Sequence, residues 1–278
     1  MGKPQPAKKT PLADRAVGQE NTVVTVGDVR FGTEKVVLIG GPCAVEDREQ
    51  ILASARAVTA AGGTMLRGGA WKPRTNPYDF QGLGVEGLEL LAAARAETGL
   101  PVVTEVMDTR DVALVAEHAD MLQIGSRSVQ NFPLLREVGA SGKPVLLKRG
   151  MMTTVDEWLS AAEYILAAGG DQVVLCERGI RTFEPALRNT LDVGSVAVLK
   201  ERTHLPVIVD PSHAAGNARF VTALARAAVA AGADGLLVET HPDPARAMSD
   251  ADQSLAPADF AALAESCRAV ARAIGRDL

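Results

Sequence analysis

Eight times from residue 36 onward the chain repeats one order. A short apolar, β-rich run leads into a loop of Gly, Pro and polar residues, and an Ala/Leu/Glu-rich helical stretch follows. The apolar runs cover 36–39, 64–66, 101–105, 120–124, 144–147, 172–175, 206–209 and 235–238. The helical stretches fall at about 46–61, 85–98, 109–118, 130–139, 154–168, 188–202, 217–231 and 257–274, several of them ending at Gly. The apolar runs show no polar alternation, as expected of strands covered on both faces of a parallel sheet. Eight such units in about 240 residues, with no second set of strands, predict an α/β fold of the (β/α)8 TIM-barrel type rather than an open doubly wound sheet.

Ahead of the repeats, 22–26 and 29–31 flank Gly27-Asp28 and read as a short N-terminal β-hairpin. Residues 1–21 mix Lys, Pro, Gln, Asp and Glu with no apolar period and read as a flexible arm, disordered or loosely docked. That leaves 22–278 as one barrel domain.

In such a barrel the ends of the strands face one rim, where barrel enzymes keep their active sites. Here every strand end carries chemistry. Cys43 follows the first strand, Arg67 and Lys72 the second, and Glu105 ends the third. Ser126-Arg127 follow the fourth, Lys148-Arg149 the fifth and Glu177-Arg178 the sixth. Asp210 to His213 follow the seventh and Glu239 ends the eighth, with Asp250 just beyond.

Cys43, His213, Glu239 and Asp250 offer sulfur, nitrogen and oxygen donors, a set suited to Mn, Fe, Co or Zn rather than Mg or Ca. No CxxC or HxxxH spacing links them, so only the barrel brings them together. The cations Arg67, Lys72, Arg74, Arg127, Lys148 and Arg178 converge on the same rim, where Arg forks grip carboxylate or phosphate oxygens. Arg67 to Asn76 packs its cations around Gly68-Gly69 and Pro73, whose backbones fix the loop before an anion arrives. Six cations are more than ion pairing with Glu105, Glu177 and Asp210 absorbs, so more than one anion is expected. His118 and His204 read as structural, His241 as a neighbour of the rim and Cys176 as filler of the barrel interior.

A net charge of -5 with only two Trp, two Tyr and six Phe argues against a nucleic-acid surface. No apolar run reaches the roughly 18 residues of a membrane span, and the polar N-terminus lacks a signal-peptide core. Three scattered cysteines fit a reducing compartment better than a disulfide framework, so a cytoplasmic protein is expected.

Eight motifs in order carry a likeness: Gly-Pro-Cys-Ala-Val-Glu from Gly41, Leu-Arg-Gly-Gly-Ala-Trp-Lys-Pro-Arg-Thr from Leu66, Thr-Glu-Val-Met-Asp from Thr104 and Leu-Gln-Ile-Gly-Ser-Arg from Leu122. They continue with Leu-Leu-Lys-Arg-Gly-Met from Leu146, Cys-Glu-Arg-Gly-Ile-Arg-Thr-Phe from Cys176, Asp-Pro-Ser-His-Ala from Asp210 and Ser-Asp-Ala-Asp-Gln-Ser-Leu from Ser249. Together they resemble the type Iβ 3-deoxy-D-arabino-heptulosonate 7-phosphate (DAHP) synthases, from about Thr22 to the C-terminus.

The resemblance implies a transferase that condenses phosphoenolpyruvate with erythrose 4-phosphate at the entry to the shikimate pathway of aromatic amino acid biosynthesis. By the family pattern Cys43, His213, Glu239 and Asp250 would hold a divalent transition metal, with Mn2+ first and Fe2+, Co2+ or Zn2+ as alternatives. Arg67, Lys72, Arg127, Lys148 and Arg178 would hold phosphoenolpyruvate, with Ser126 also at the substrate, while Arg74 and Thr75 would receive the aldose phosphate. Lys72, Glu105 and His213 would stand at the reacting atoms, Glu105 positioning the water near C2. The family habit implies a homo-oligomer, a tetramer or a dimer, and leaves room for a separate regulatory partner protein.

Asn76, Ser126, Ser128-Val129 and Thr240 depart from the usual family residues without removing a ligand, and they leave open a paralogue of a specialised pathway. The related 3-deoxy-D-manno-octulosonate 8-phosphate synthases read Lys-Ala-Asn-Arg where this chain has Lys72-Pro73-Arg74-Thr75. A barrel that only binds phosphorylated metabolites is the non-enzymatic alternative. Only about 35 residues precede the first barrel strand, fewer than the roughly 40–60 of a small independent domain. No fused sensor of aromatic amino acids is therefore expected.

Overall fold

A computed structural model describes residues 9–278. β1 (Val24–Val26) and β2 (Val29–Phe31) form an antiparallel hairpin with Val26 opposite Val29. The repeats follow as β3 (Val37–Gly41), α1 (Arg48–Ala60), β4 (Met65–Arg67), α2 (Val85–Thr98), β5 (Val102–Glu105) and α3 (Val112–His118). Next come β6 (Met121–Ile124), α4 (Phe132–Ala140), β7 (Val145–Lys148), α5 (Val155–Ala167), β8 (Val173–Glu177) and α6 (Val193–Arg202). The chain ends with β9 (Val207–Val209), α7 (Pro211–Ala215), α8 (Ala218–Ala230), β10 (Gly235–Glu239) and α9 (Pro257–Ala273). The eight strands β3 to β10 pair in parallel in sequence order, and β10 closes the barrel on β3 with Gly235 opposite Val37 and Glu239 opposite Gly41.

Every barrel strand is buried along its whole length, and alternation appears in which layer each residue enters. Leu38, Leu66, Val102, Leu122 and Leu147 point outward and pack with Ile51, Leu88 and Trp158 of the helices. Val37, Ile39, Met65, Val103, Met121, Leu146, Val174, Ile208 and Leu237 point inward with Cys176. Val24, Val26 and Phe31 of the hairpin join that inner cluster, so β1 and β2 plug the barrel at the N-terminal ends of its strands. Local chemistry sets the helix ends. Asp47 caps α1 through Gln50 N, Thr154 and Glu157 form a reciprocal capping box at α5, and α2 stops at Gly99 in the left-handed region.

Three expectations need correction. The helix expected over 188–202 begins only at Val193, because Asp192 caps it by accepting from Ser195 N. The residues before it form a long loop in which Ile180 bridges Thr190. Second, the stretch after β9 is a short helix rather than a loop. Pro211 suits its first turn, Asp210 caps it through His213 N, and Gly216 ends it at φ 67°.

Third, the arm expected to be flexible over 1–21 is docked from Thr10 onward. Leu12 N and Ala13 N donate to the Glu163 carboxylate at 3.0 and 2.8 Å, Arg15 N donates to Arg202 O, and Ala13 is fully buried. The segment has no apolar period because mainly polar contacts, from its backbone and from Arg15, attach it. Residues 1–8 lie outside the described residues. Among the described residues no helix is long and apolar enough to cross a membrane.

Candidate active site

The rim at the C-terminal ends of the strands is built from residues that cannot avoid one another once the barrel closes. Cys43 follows β3, His213 sits on α7, Glu239 ends β10, and Asp250 lies in the loop beyond it. One donor atom from each falls within 4.8 Å of the other three. His213 Nε2 is 3.6 Å from Glu239 Oε1 and 3.9 Å from Asp250 Oδ2, and Cys43 Sγ is 2.9 Å from the same Asp250 oxygen. Metal–ligand distances of about 2.0–2.3 Å let a single ion reach all four from their midst. The donor types also fit a transition ion, and Glu239 Oε1 is a buried oxygen with no hydrogen-bond donor of good geometry.

Protonation in the ion-free protein follows from burial. It pushes the Cys43 thiol up to about 12, with Glu239 adding to the effect. Burial likewise holds His213 below its usual value against the pull of Asp210 and Glu239, which keeps a lone pair on the ring. Asp210, not among the expected site residues, stands behind this histidine. Its Oδ2 is 2.8 Å from His213 Nδ1 and 2.5 Å from Lys148 Nζ. Burial alone would raise its carboxyl, yet His213 and Lys148 hold it well below the usual range. A carboxylate on Nδ1 fixes the ring so that Nε2 faces the other three donors.

Beside this group opens a cavity lined by Arg67, Lys72, Arg74, Arg127, Lys148 and Arg178. Arg181 and Arg188 add two cations that sequence reasoning missed, against only Glu105 and Asp250 on the acidic side. Arg67 Nη2 lies 3.0 Å from Glu239 Oε1, while its Nε and Nη1, and Nε of Arg178, are buried without a partner. Such atoms cost about 1–3 kcal/mol each unless a ligand completes them. Two buried guanidinium groups with open donors form a site suited to an anion.

Not every expected residue faces this cavity. Thr75 is exposed and does not line it. Arg74 lines it but spends Nε on Phe80 O at 2.9 Å and Nη2 on Met248 O at 3.1 Å. Arg149, next to Lys148, turns to the outer layer and pairs with Glu177 and Asp192 at 2.9 and 2.8 Å. Ser126 and Glu105 are on the wall, and Gln123 Nε2 donates to Glu105 Oε2 at 3.2 Å. Gly125 makes room for that carboxylate, since a Cβ there would lie 2.0 Å from Glu105 Oε1. His241 contacts Glu46 at 3.2 Å, while His118 and His204 bond to the backbone carbonyls of Leu114 and Leu12.

Comparison with known proteins adds an independent line. A profile described as the DAHP synthetase I family matches residues 14–275. A phospho-2-dehydro-3-deoxyheptonate aldolase of Thermotoga maritima is 49% identical over 264 residues, which is 95% of this chain and 78% of that relative. A 2-dehydro-3-deoxyphosphooctonate aldolase of Syntrophotalea carbinolica is 36% identical over 83% of this chain and 89% of its own length. The crystal structure of the DAHP synthase of Thermotoga maritima superposes with a TM-score of 0.93 at 48% identity, covering 96% of this chain and 78% of that one. A truncated form of the 3-deoxy-D-arabino-heptulosonate 7-phosphate synthase of the same organism gives a TM-score of 0.91 at 44% identity, covering 97% and 99%.

Proposed function

The chain belongs to the DAHP synthetase I family, and from that premise we propose that its rim joins phosphoenolpyruvate to erythrose 4-phosphate and water, giving DAHP and phosphate. The observation that carries this reading is the juxtaposition of a four-donor group with a cavity walled by eight cations. One element serves an aldehyde oxygen, the other serves two anions that would otherwise repel.

Cys43, His213, Glu239 and Asp250 would hold the divalent ion, Mn2+ being our first assignment. When bound, such an ion supplies Lewis-acid polarisation of a carbonyl oxygen. Arg67, Lys72, Arg127, Lys148 and Arg178, with Ser126, bind phosphoenolpyruvate and fix its C3 toward the aldehyde carbon. Arg74, on the cavity wall, receives the phosphate of the aldose. As C3 forms the new C–C bond, C2 gains positive character, and Glu105 holds the water that adds there. Phosphate then leaves with cleavage of its bond to C2. Fixed positive charge in a buried site supplies positioning and electrostatic stabilisation without reorganisation during the reaction. The free cysteines Cys43, Cys176 and Cys267 support a reducing, cytoplasmic setting.

Purified protein supplied with Mn2+ should consume phosphoenolpyruvate and release phosphate with erythrose 4-phosphate, and turn over arabinose 5-phosphate poorly. A kcat/KM higher for the pentose would replace this reading with 3-deoxy-D-manno-octulosonate 8-phosphate synthesis. No phosphate release with either aldose would leave a binding barrel.

Glu105 has its own test. Gly125→Ala leaves every proposed substrate and metal residue in place, but its methyl group would occupy the space of the Glu105 carboxylate. The side chain can swing away, so the fold should hold, while a displacement of about 1 Å can cost on the order of 10²-fold. We expect kcat to fall about tenfold or more with KM for phosphoenolpyruvate little changed. An unaltered kcat would remove Glu105 from the water-positioning role.

A further inference from the structure

Of the four proposed metal ligands, Asp250 has the least ordinary backbone. It is the one non-glycine residue with positive φ among those described, at φ 53° and ψ 39°. Such a conformation persists only where the surroundings impose it. Ser254 Oγ donates to the Asp250 carbonyl at 3.0 Å, and Arg188, in the loop between β8 and α6, reaches its carboxylate from outside the ligand group. Its Nη1 donates to Asp250 Oδ1 at 2.8 Å and also to Gln253 Oε1 at 2.8 Å. Gln253 passes the contact on, since its Nε2 donates to Glu239 Oε2 at 2.5 Å. Each carboxylate thus has one oxygen engaged by this chain of contacts. Asp250 Oδ2 and Glu239 Oε1 remain the oxygens turned toward His213.

Arg188 and its neighbour Asn189 also grip the element that carries the histidine. Arg188 N donates to Ala215 O and Asn189 N to Ala214 O, and Asn189 Nδ2 donates to His213 O at 3.0 Å. Contact is close enough that Gly216 admits no side chain, as a Cβ there would lie 2.3 Å from Arg188 Cβ. Arg188 therefore touches the segments bearing His213 and Asp250, which follow β9 and β10, and reaches the Glu239 carboxylate at the end of β10 through Gln253.

We propose that Arg188, acting with Gln253, is a positioning residue that assembles the metal centre: it sets which oxygens of Asp250 and Glu239 face the ion and locks the short helix α7 beside them. The proposal rests on the metal reading given above. Groups that orient metal ligands in this way typically contribute about 10–100-fold to affinity.

The test is titration of Co2+ into metal-stripped, full-length protein, followed by the near-ultraviolet absorption of the cobalt–thiolate bond to Cys43, with Mn2+ affinity measured by chelator competition. Arg188→Met should weaken both ions by about 10–100-fold, Arg188→Lys should recover part of the loss, and Gln253→Leu, which cuts the link to Glu239 but leaves Arg188 on Asp250, should lose less. KM for phosphoenolpyruvate at saturating metal should stay at the wild-type value in Gln253→Leu, whose side chain does not line the cavity. If Arg188→Met does not fold, Gln253→Leu carries the test, and its binding like wild type would then overturn the proposal. Wild-type affinity in Arg188→Met, with a raised KM for the aldose phosphate instead, would make Arg188 a substrate ligand and overturn it too. A wild-type protein that binds neither ion would remove the metal reading itself, an outcome distinct from a wild type that binds and a variant that binds equally well.

Discussion

Cys43→Ala should give a folded protein whose turnover is lower by about a thousandfold or more. The sulfur is buried beside Asp250 and Ser249, and alanine removes it without adding bulk. Three donors remain, but the softest is gone. Lewis-acid stabilisation of developing charge is worth several kcal/mol, and about 4 kcal/mol corresponds to about a thousandfold in rate.

A second readout separates loss of metal from loss of fold. An ion at about 1,000 times its Kd stabilises the native state by about 4 kcal/mol, so Mn2+ should raise the wild-type melting temperature and leave that of Cys43→Ala unmoved. Cys176→Ala and Cys267→Ala are the controls. Both sulfurs are buried in hydrophobic clusters and neither belongs to the donor group, so each substitution should cost about 1 kcal/mol of stability with activity retained. Full activity in chelator-treated protein shown by elemental analysis to be metal-free would sink the metal reading.

Arg67→Met should produce two losses that one substitution seldom combines. The two open donors of the guanidinium offer charge-assisted hydrogen bonds worth about 1.5–3 kcal/mol each, so kcat/KM for phosphoenolpyruvate should fall at least about 100-fold. The third nitrogen opposes Glu239, and both groups of that pair are almost wholly buried. Removing one member of a buried pair costs about 3–5 kcal/mol because the other charge is left uncompensated. Repulsion between Arg67 and Lys72 offsets part of that cost, as Lys72 sits close enough for Arg67 to disfavour its charge. Urea unfolding in the presence of chelator should therefore show a destabilisation of a few kcal/mol. Saturating Mn2+ should restore part of it, by giving Glu239 a positive partner again. Unchanged kinetics for phosphoenolpyruvate would remove Arg67 from the substrate site, and unchanged stability would show that Glu239 does not depend on it.

The barrel was legible in the sequence because its cause is periodic. Each strand must bury both faces and each helix one, and a parallel neighbour requires a crossover, so the eight units announce themselves. The rim was legible for the same reason, since the residues after each apolar run have only one end of the barrel to occupy.

What escaped was chemistry that acts between elements. Asp210 is three residues from His213, and that spacing before a Pro was readable as a helix cap, but its contact with Lys148 depends on the barrel closing. Arg188 was read as the start of a helix, because nothing in Arg188-Asn189 marks a strap across α7 as distinct from a first turn. Its partner Gln253 lies 65 residues away, with no period to connect them. Arg149 was a different matter. It follows Lys148, so alternation along the strand already turned it away from the face that Lys148 occupies.

The hairpin at the far end of the barrel imposes a traffic rule. With Val24, Val26 and Phe31 sealed into the interior cluster, there is no rear exit. Two phosphorylated reactants, the water and both products share a single doorway walled by cations. The charge that draws each anion inward also delays its departure. A site built this way works against its own clearance, and the half-engaged guanidinium of Arg74 at the threshold shows how the pull can be graded. Arg67 is buried and Arg74 only partly so, and a departing phosphate must leave against the attraction of both.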